Sequence, residues 1–133
     1  MKMKRIVPGL ALVACLLPFA VASNRQKGQK LPCEDAQTQF EMNQCAHKEY
    51  VAADAELNKT YNRLAAKLDT DEQRGQLKAA ELAWIKYRDA NCDFEGAFYK
   101  GGTMRPMIES FCLARMTNAR TAELKDQIKV FDQ

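Results

Sequence analysis

Residues 92–112 read Cys-Asp-Phe-Glu-Gly-Ala-Phe-Tyr-Lys-Gly-Gly-Thr-Met-Arg-Pro-Met-Ile-Glu-Ser-Phe-Cys. The Gly101-Gly102 pair separates two helix-like patterns and marks the end of the first. Cys92 lies nine residues before Gly101, and Cys112 lies ten after Gly102. Both arms of a helical hairpin rise about 1.5 Å per residue, so positions equidistant from the turn come level. A disulfide between Cys92 and Cys112 across an antiparallel hairpin is therefore expected. Thr103 is placed to cap the helix after the turn, and Pro106 is tolerated in its first turn.

The helix that ends at Gly101-Gly102 opens on a capping box, Thr70-Asp71-Glu72-Gln73. From there a 3-4 pattern runs through Leu77, Ala80, Trp84, Tyr87, Asn91, Phe94 and Phe98, widened by Leu82, Ile85 and Cys92. An earlier capping box, Thr38-Gln39-Phe40-Glu41, starts a helix at Gln39. Met42, Cys45 with Ala46, Tyr50, Ala53, Leu57, Tyr61, Leu64 and Leu68 mark its inner face, with no Pro or Gly before Asp69. The connection Asp69-Thr70 is so short that these two helices are expected to be antiparallel neighbours. In the last helix Met107, Phe111, Ala114 and Ile128 form one stripe, flanked by Leu113, Met116 and Leu124. No useful length of strand-like alternation occurs. The expected fold is all-α, an antiparallel three-helix bundle stapled by two disulfides. Four cysteines allow three connectivities, and Cys33–Cys45 follows by elimination once Cys92 and Cys112 are paired. Each closed loop contributes on the order of 3 kcal/mol by chain-entropy arguments.

The N-terminus reads as an export signal. Met1-Lys2-Met3-Lys4-Arg5 is basic, Ile6 to Ala22 is apolar, and Ala20-Val21-Ala22 before Ser23 is a small-x-small cleavage pattern. The run is broken by Pro8, Gly9 and Pro18 and is too short to span a bilayer comfortably. Residues 1–22 are assigned to the signal peptide, 23–32 to a flexible basic leader and 33–133 to the helical domain. A rival cut at Leu12-Val13-Ala14-Cys15 would leave a lipid anchor on Cys15, but the apolar residues after Cys15 look like unfinished signal rather than a polar tether. Export places the chain in the periplasm or medium, where disulfides persist.

Processing changes the charge. The full chain carries +3. Loss of Lys2, Lys4 and Arg5 brings the remainder to 0, and the part beyond Arg25, Lys27 and Lys30 stands at −3. Such a domain has no electrostatic footprint for nucleic acid. No Cys-x-x-Cys occurs and His47 is the single histidine, so neither a metal nor a cofactor is expected. His47 reads as an exposed surface residue, since no nucleophile or orienting group is spaced to use it. Glu41, Asp54, Glu56, Glu81, Asp89 and Glu95 read as solvated helix faces and i,i+4 partners, Glu56 with Thr60 and Glu81 with Ile85, Lys78 behind. Paired-carboxylate hydrolysis needs a cleft that a slim bundle rarely supplies, so no enzyme is expected.

Two constellations remain as candidate sites. Trp84 and Arg88 are four apart, so the guanidinium can lie over the indole. With Asp54, Asn58, Asp89 and Arg120 they suggest a polar layer that sets which helix faces meet, or a recognition patch centred on Trp84 and Arg88. The loop Tyr99-Lys100-Gly101-Gly102-Thr103-Met104-Arg105 offers Tyr99, Lys100 and Arg105 as interface anchors, braced at its base by the Cys92–Cys112 bridge.

The order Cys33, Thr38-Gln39-x-Glu41-Met42-Asn43-x-Cys45-Ala46, Tyr50, Ala53-Asp54-x-x-Leu57-Asn58-x-x-Tyr61, Trp84-x-x-Tyr87-Arg88-Asp89-Ala90-x-Cys92, Gly101-Gly102, Cys112, Thr117-x-x-Arg120 and Leu124 resembles the lysozyme inhibitor LprI-like family. The resemblance runs from Cys33 to Leu124. It implies an exported helical protein of the bacterial envelope with lysozyme as a protein partner, and it transfers no catalytic residue. The name-giving type is a lipoprotein, whereas this chain reads as periplasmic or secreted. The alternative is an envelope interaction or scaffold module with no lysozyme target.

Overall fold

A computed structural model describes residues 33–132. The expected signal peptide (1–22), the leader (23–32) and Cys15 lie outside the described residues. Three helices of 27 residues make up the fold: α1 (Gln39–Ala65), α2 (Asp71–Ala97) and α3 (Arg105–Phe131). No strand occurs among the described residues, and none of their helices is long and apolar enough to cross a membrane.

Both capping boxes form. Thr38 Oγ1 accepts from the Glu41 amide at 3.2 Å, while Glu41 Oε2 accepts from the Gln37 and Thr38 amides at 2.8 and 2.9 Å. Those backbone donors hold the Glu41 carboxyl below its ordinary pKa. At α2, Thr70 Oγ1 accepts from Gln73 N and Gln73 Oε1 accepts from Thr70 N, both at 3.1 Å. The third start differs from expectation. Met104, not Thr103, is the N-cap, and it has helical dihedrals and no side-chain cap. Pro106 in the first turn removes one of the amides a cap would serve. The end of α2 also comes early: the helix stops at Ala97, and Gly101 adopts a φ of 79° within the turn that follows.

Both disulfides are as expected, Cys33–Cys45 with Cα atoms 5.8 Å apart and Cys92–Cys112 with 5.5 Å. They sit at one end of the bundle, where α1 begins, α2 ends and α3 begins. The large aliphatic residues collect at the other end, as a buried cluster of Leu57, Leu64, Leu124 and Ile128 with Tyr61, Leu77 and Trp84 packed against it.

α3 packs against both other helices, most extensively against α1. The backbones of α1 and α2 barely approach each other, although only residues 66–70 join them. Side-chain size accounts for this. The buried line of α1 contains Ala46, Ala53 and Thr60, and that of α3 contains Ala114, Thr117 and Thr121. Small residues on both helices let their axes come close. Between α1 and α2 the space is instead bridged by long side chains reaching from Arg88 to Asp54 and Tyr50.

The inner line of α2 departs most from the sequence reading. Glu81, Arg88, Cys92 and Gly96 are buried. Tyr87, Phe94 and Phe98, expected on the core face, are 62%, 62% and 73% exposed. The Cys92–Cys112 bond and the ion pairs of Arg88 hold α2 at a rotation that turns those rings outward.

Candidate functional site

Two regions gather the polar side chains singled out by the sequence. The first is centred on Arg88, a buried residue of α2. Its Nε donates to Asp89 Oδ1 at 2.9 Å, and its Nη2 lies 2.8 Å from the same oxygen. Nη1 donates to Thr117 Oγ1 of α3 at 3.3 Å and lies 3.8 Å from Asp54 Oδ1 of α1. The guanidinium carbon stands 5.2 Å from the Trp84 ring centre and 5.5 Å from that of Tyr50. One side chain thus ties all three helices. Asn58 donates to Asp54 Oδ2 at 2.9 Å, holding that carboxylate in place.

About two helical turns back along α2, Glu81 Oε2 accepts from Arg120 Nε at 3.0 Å, and Arg120 Nη1 donates to Glu123 at 2.9 Å. Burial works against the Arg120 charge, but the bonds from Glu123 and Glu81 outweigh it and its pKa is raised. Glu81, read from the sequence as solvated, is buried because Arg120 reaches it across the α2–α3 contact. Glu56 likewise pairs with Lys125 of α3 at 2.7 Å rather than acting within its own helix, and this lowers the Glu56 pKa. Asp54, Asn58, Glu81 and Arg88 line a groove of about 140 Å3 between α1 and α2.

The second region is the α2–α3 turn. Tyr99 N donates to Gly96 O at 2.9 Å and Gly102 N to Tyr99 O at 3.0 Å, so the chain winds tightly after α2. Lys100, Gly101, Gly102, Thr103 and Met104 are exposed at the end of the molecule. The turn is tied down on three sides. Asn43 Nδ2 of α1 donates to Thr103 O at 3.0 Å. Arg105 pairs with Glu109 and, at 2.8 Å, with Asp93 of α2. The hydrogen bond and charge of Glu109, with Asp93 behind, raise the Arg105 pKa. Below them the Cys92–Cys112 bond joins the two arms. Arg105 therefore braces the turn, while Tyr99 and Lys100 project from it.

The structure brings together Trp84, Arg88, Asp54, Asn58 and Asp89. It places Arg120 with Glu81 instead, and Tyr99, Lys100 and Arg105 at the bundle's end. The sequence reading names Tyr50, Thr117 and Glu81 but does not place them in the polar layer. The signals for two of them were local: Tyr50 precedes Asp54 by four residues, and Glu81 precedes Arg88 by seven, spacings that put each pair on one helix face. His47 is exposed, with its ring 6.4 Å from that of Tyr50.

The family described as Lysozyme inhibitor LprI matches residues 33–124, which include both disulfides, the Arg88 layer and the α2–α3 turn. An uncharacterised protein of Rhizobium meliloti (strain 1021) is 40% identical over 136 residues, spanning 93% of this chain and 95% of its own length. No solved structure matches the chain significantly.

Proposed function

The chain belongs to the lysozyme inhibitor LprI family, and on that premise we propose that it is an exported, non-catalytic protein that binds and inhibits a muramidase. The family match over residues 33–124 carries this reading. The geometry supports the α2–α3 turn as the element that meets the enzyme. A glycosidase cleft presents two carboxyl groups. Lys100 offers a cation at the tip of a protruding turn, and Tyr99 beside it is partly exposed. The disulfide, the Asn43 bond and the Arg105 pairs already order the turn, which lowers the cost of fixing it on binding. The Arg88 layer is a weaker candidate, because its donors are used within the bundle.

The test is turbidity clearing of bacterial cell walls by lysozymes of several types, with the processed protein and its Tyr99→Ala/Lys100→Ala variant. The wild type slows clearing at about micromolar concentration, and the variant loses roughly ten-fold or more in potency. No slowing of any lysozyme overturns the inhibitor reading. Undiminished slowing by the variant overturns the assignment to the turn.

A further inference from the structure

α2 has a second apolar face beside its inner line; at its start Ala80 borders a groove shared with Leu64, Leu77 and Arg120, and beyond it the face turns to solvent. Ala80, Ala83, Tyr87, Ala90, Phe94 and Ala97 recur at alternating spacings of three and four, and all six are exposed. Charged residues stand only at the edge of the face, among them Lys86 and Asp93. We propose that this face is a homodimer interface, in which α2 pairs with α2 of a second copy as an antiparallel coiled coil.

The spacing is a heptad seam, with Ala80, Tyr87 and Phe94 at one core position and Ala83, Ala90 and Ala97 at the other. Antiparallel pairing sets each member of the first set against a member of the second. With the two-fold axis between Arg88 and Asp89, Phe94 of one copy meets Ala83 of the other, Tyr87 meets Ala90, and Ala80 meets Ala97. Both rings of the seam fall on an alanine, and each contact occurs twice by symmetry. Lys86 and Asp93 lie seven apart on the same flank of the seam. The antiparallel arrangement brings Lys86 of each copy beside Asp93 of the other, so opposite charges meet twice along that one edge. Asp93 is 74% exposed in its side chain, and its contact to Arg105 engages only Oδ1. A second copy matches the face in shape and in the charge of its flank.

The exposed aromatic area is considerable. Tyr87, Phe94 and the adjoining Phe98 together present roughly 400 Å2 on each chain, at about 200 Å2 per ring. That is about half of the ~800 Å2 per partner in a standard interface before the alanines are counted.

Sedimentation equilibrium of the processed protein, from about 1 to 500 µM, reads the association directly. The expected result is a reversible dimer with micromolar affinity. Phe94→Asp weakens it on the order of ten-fold or more, with an unchanged helical circular dichroism spectrum because the ring meets only the exposed Phe98, edge-on at 5.1 Å, on its own helix. Ala83→Glu, on the same face and equally exposed, acts as a second variant. Cross-linking fixes the direction: a mixture of Ala83→Cys and Phe94→Cys proteins joins to a mixed dimer, while Ala83→Cys alone does not join to itself. A monomer throughout the range, a dimer unaffected by either charged variant, or self-joining by Ala83→Cys overturns the proposal. So does a monomer whose inhibition of lysozyme is lost with Phe94→Asp, since the face then belongs to the enzyme.

Discussion

Arg88 is the residue on which the three helices converge. It is buried, yet its carboxylate partners Asp89 and Asp54 are 57% and 43% exposed in their side chains. Its removal therefore leaves no stranded buried charge, because both carboxylates can turn to water. Losing one member of a fully buried pair costs about 3–5 kcal/mol. Here the cost should be smaller, about 2–3 kcal/mol, composed of the lost stacking on Trp84 and Tyr50, the unmet Thr117 hydroxyl and the space left behind. Arg88→Ala should lower the urea midpoint by that amount, while Lys48→Ala on the exposed face of α1 stays within about 0.5 kcal/mol. Arg74 is no comparable surface control, since its guanidinium reaches Asp71 at 2.7 Å and the Leu68 carbonyl at the α1–α2 turn. Coincident midpoints for Arg88→Ala and Lys48→Ala would remove Arg88 from the bundle's stability.

At the scale of the element, α2 is the helix held least by apolar burial. Its inner line is Glu81, Arg88, Cys92 and Gly96. Gly96 and Gly75 lie in the same helix and face different surroundings. A Cβ at Gly75 meets nothing within 4 Å, so Gly75→Ala should stabilise by about 0.5–1 kcal/mol through helix propensity alone. A Cβ at Gly96 meets Glu109 Cγ and Oε1 at 2.5 Å. Glu109 is anchored by Arg105 and cannot simply swing away. Gly96→Ala should therefore be a net loss of about 1 kcal/mol or more, despite the same propensity gain. Thermal or urea unfolding of the two variants should shift in opposite directions; a shared upward shift would mean that α2 and α3 stand further apart at Gly96. The face of α2 that turns inward was not legible in its periodicity. The helix carries an aromatic stripe and a polar stripe, and hydrophobicity alone favours burying Tyr87, Phe94 and Phe98. A covalent bond at Cys92 and the pairs made by Glu81 and Arg88 reverse that preference.

Across the whole molecule, two kinds of cohesion divide the bundle. The aliphatic cluster around Leu64 and Leu124 holds one end, and the two disulfides hold the other. The disulfide end has small buried residues, Ala46, Ala53 and Ala114, and little large apolar volume to bury. Replacing both Cys92 and Cys112 by Ala should cost about 3 kcal/mol, near the chain-entropy value for a loop of this size. The loss should be local first. Amide exchange should quicken in the last turns of α2 and in the α2–α3 turn, while the amides near Leu57 and Leu124 keep their protection. Uniform acceleration through all three helices would show that the two ends unfold as one unit.

The amino-acid sequence alone makes the helices, their order and their cysteine pairing legible. Capping boxes at Thr38 and Thr70 are local hydrogen-bond patterns, and the positions of Cys92 and Cys112 about Gly101-Gly102 follow from helical rise. It also carried the tract Trp84–Cys92, and with it the stacking of Arg88 on Trp84, because i,i+4 contacts need no partner helix. Packing between helices settles which helix is central, which face of α2 is buried, and that Glu81 belongs to Arg120 while Thr117 belongs to Arg88. Those choices depend on how closely backbones approach and on which of the two faces of α2 the Cys92–Cys112 bond and the partners of Glu81 and Arg88 turn inward. Neither quantity is encoded within one helical turn, so neither can be read along the chain.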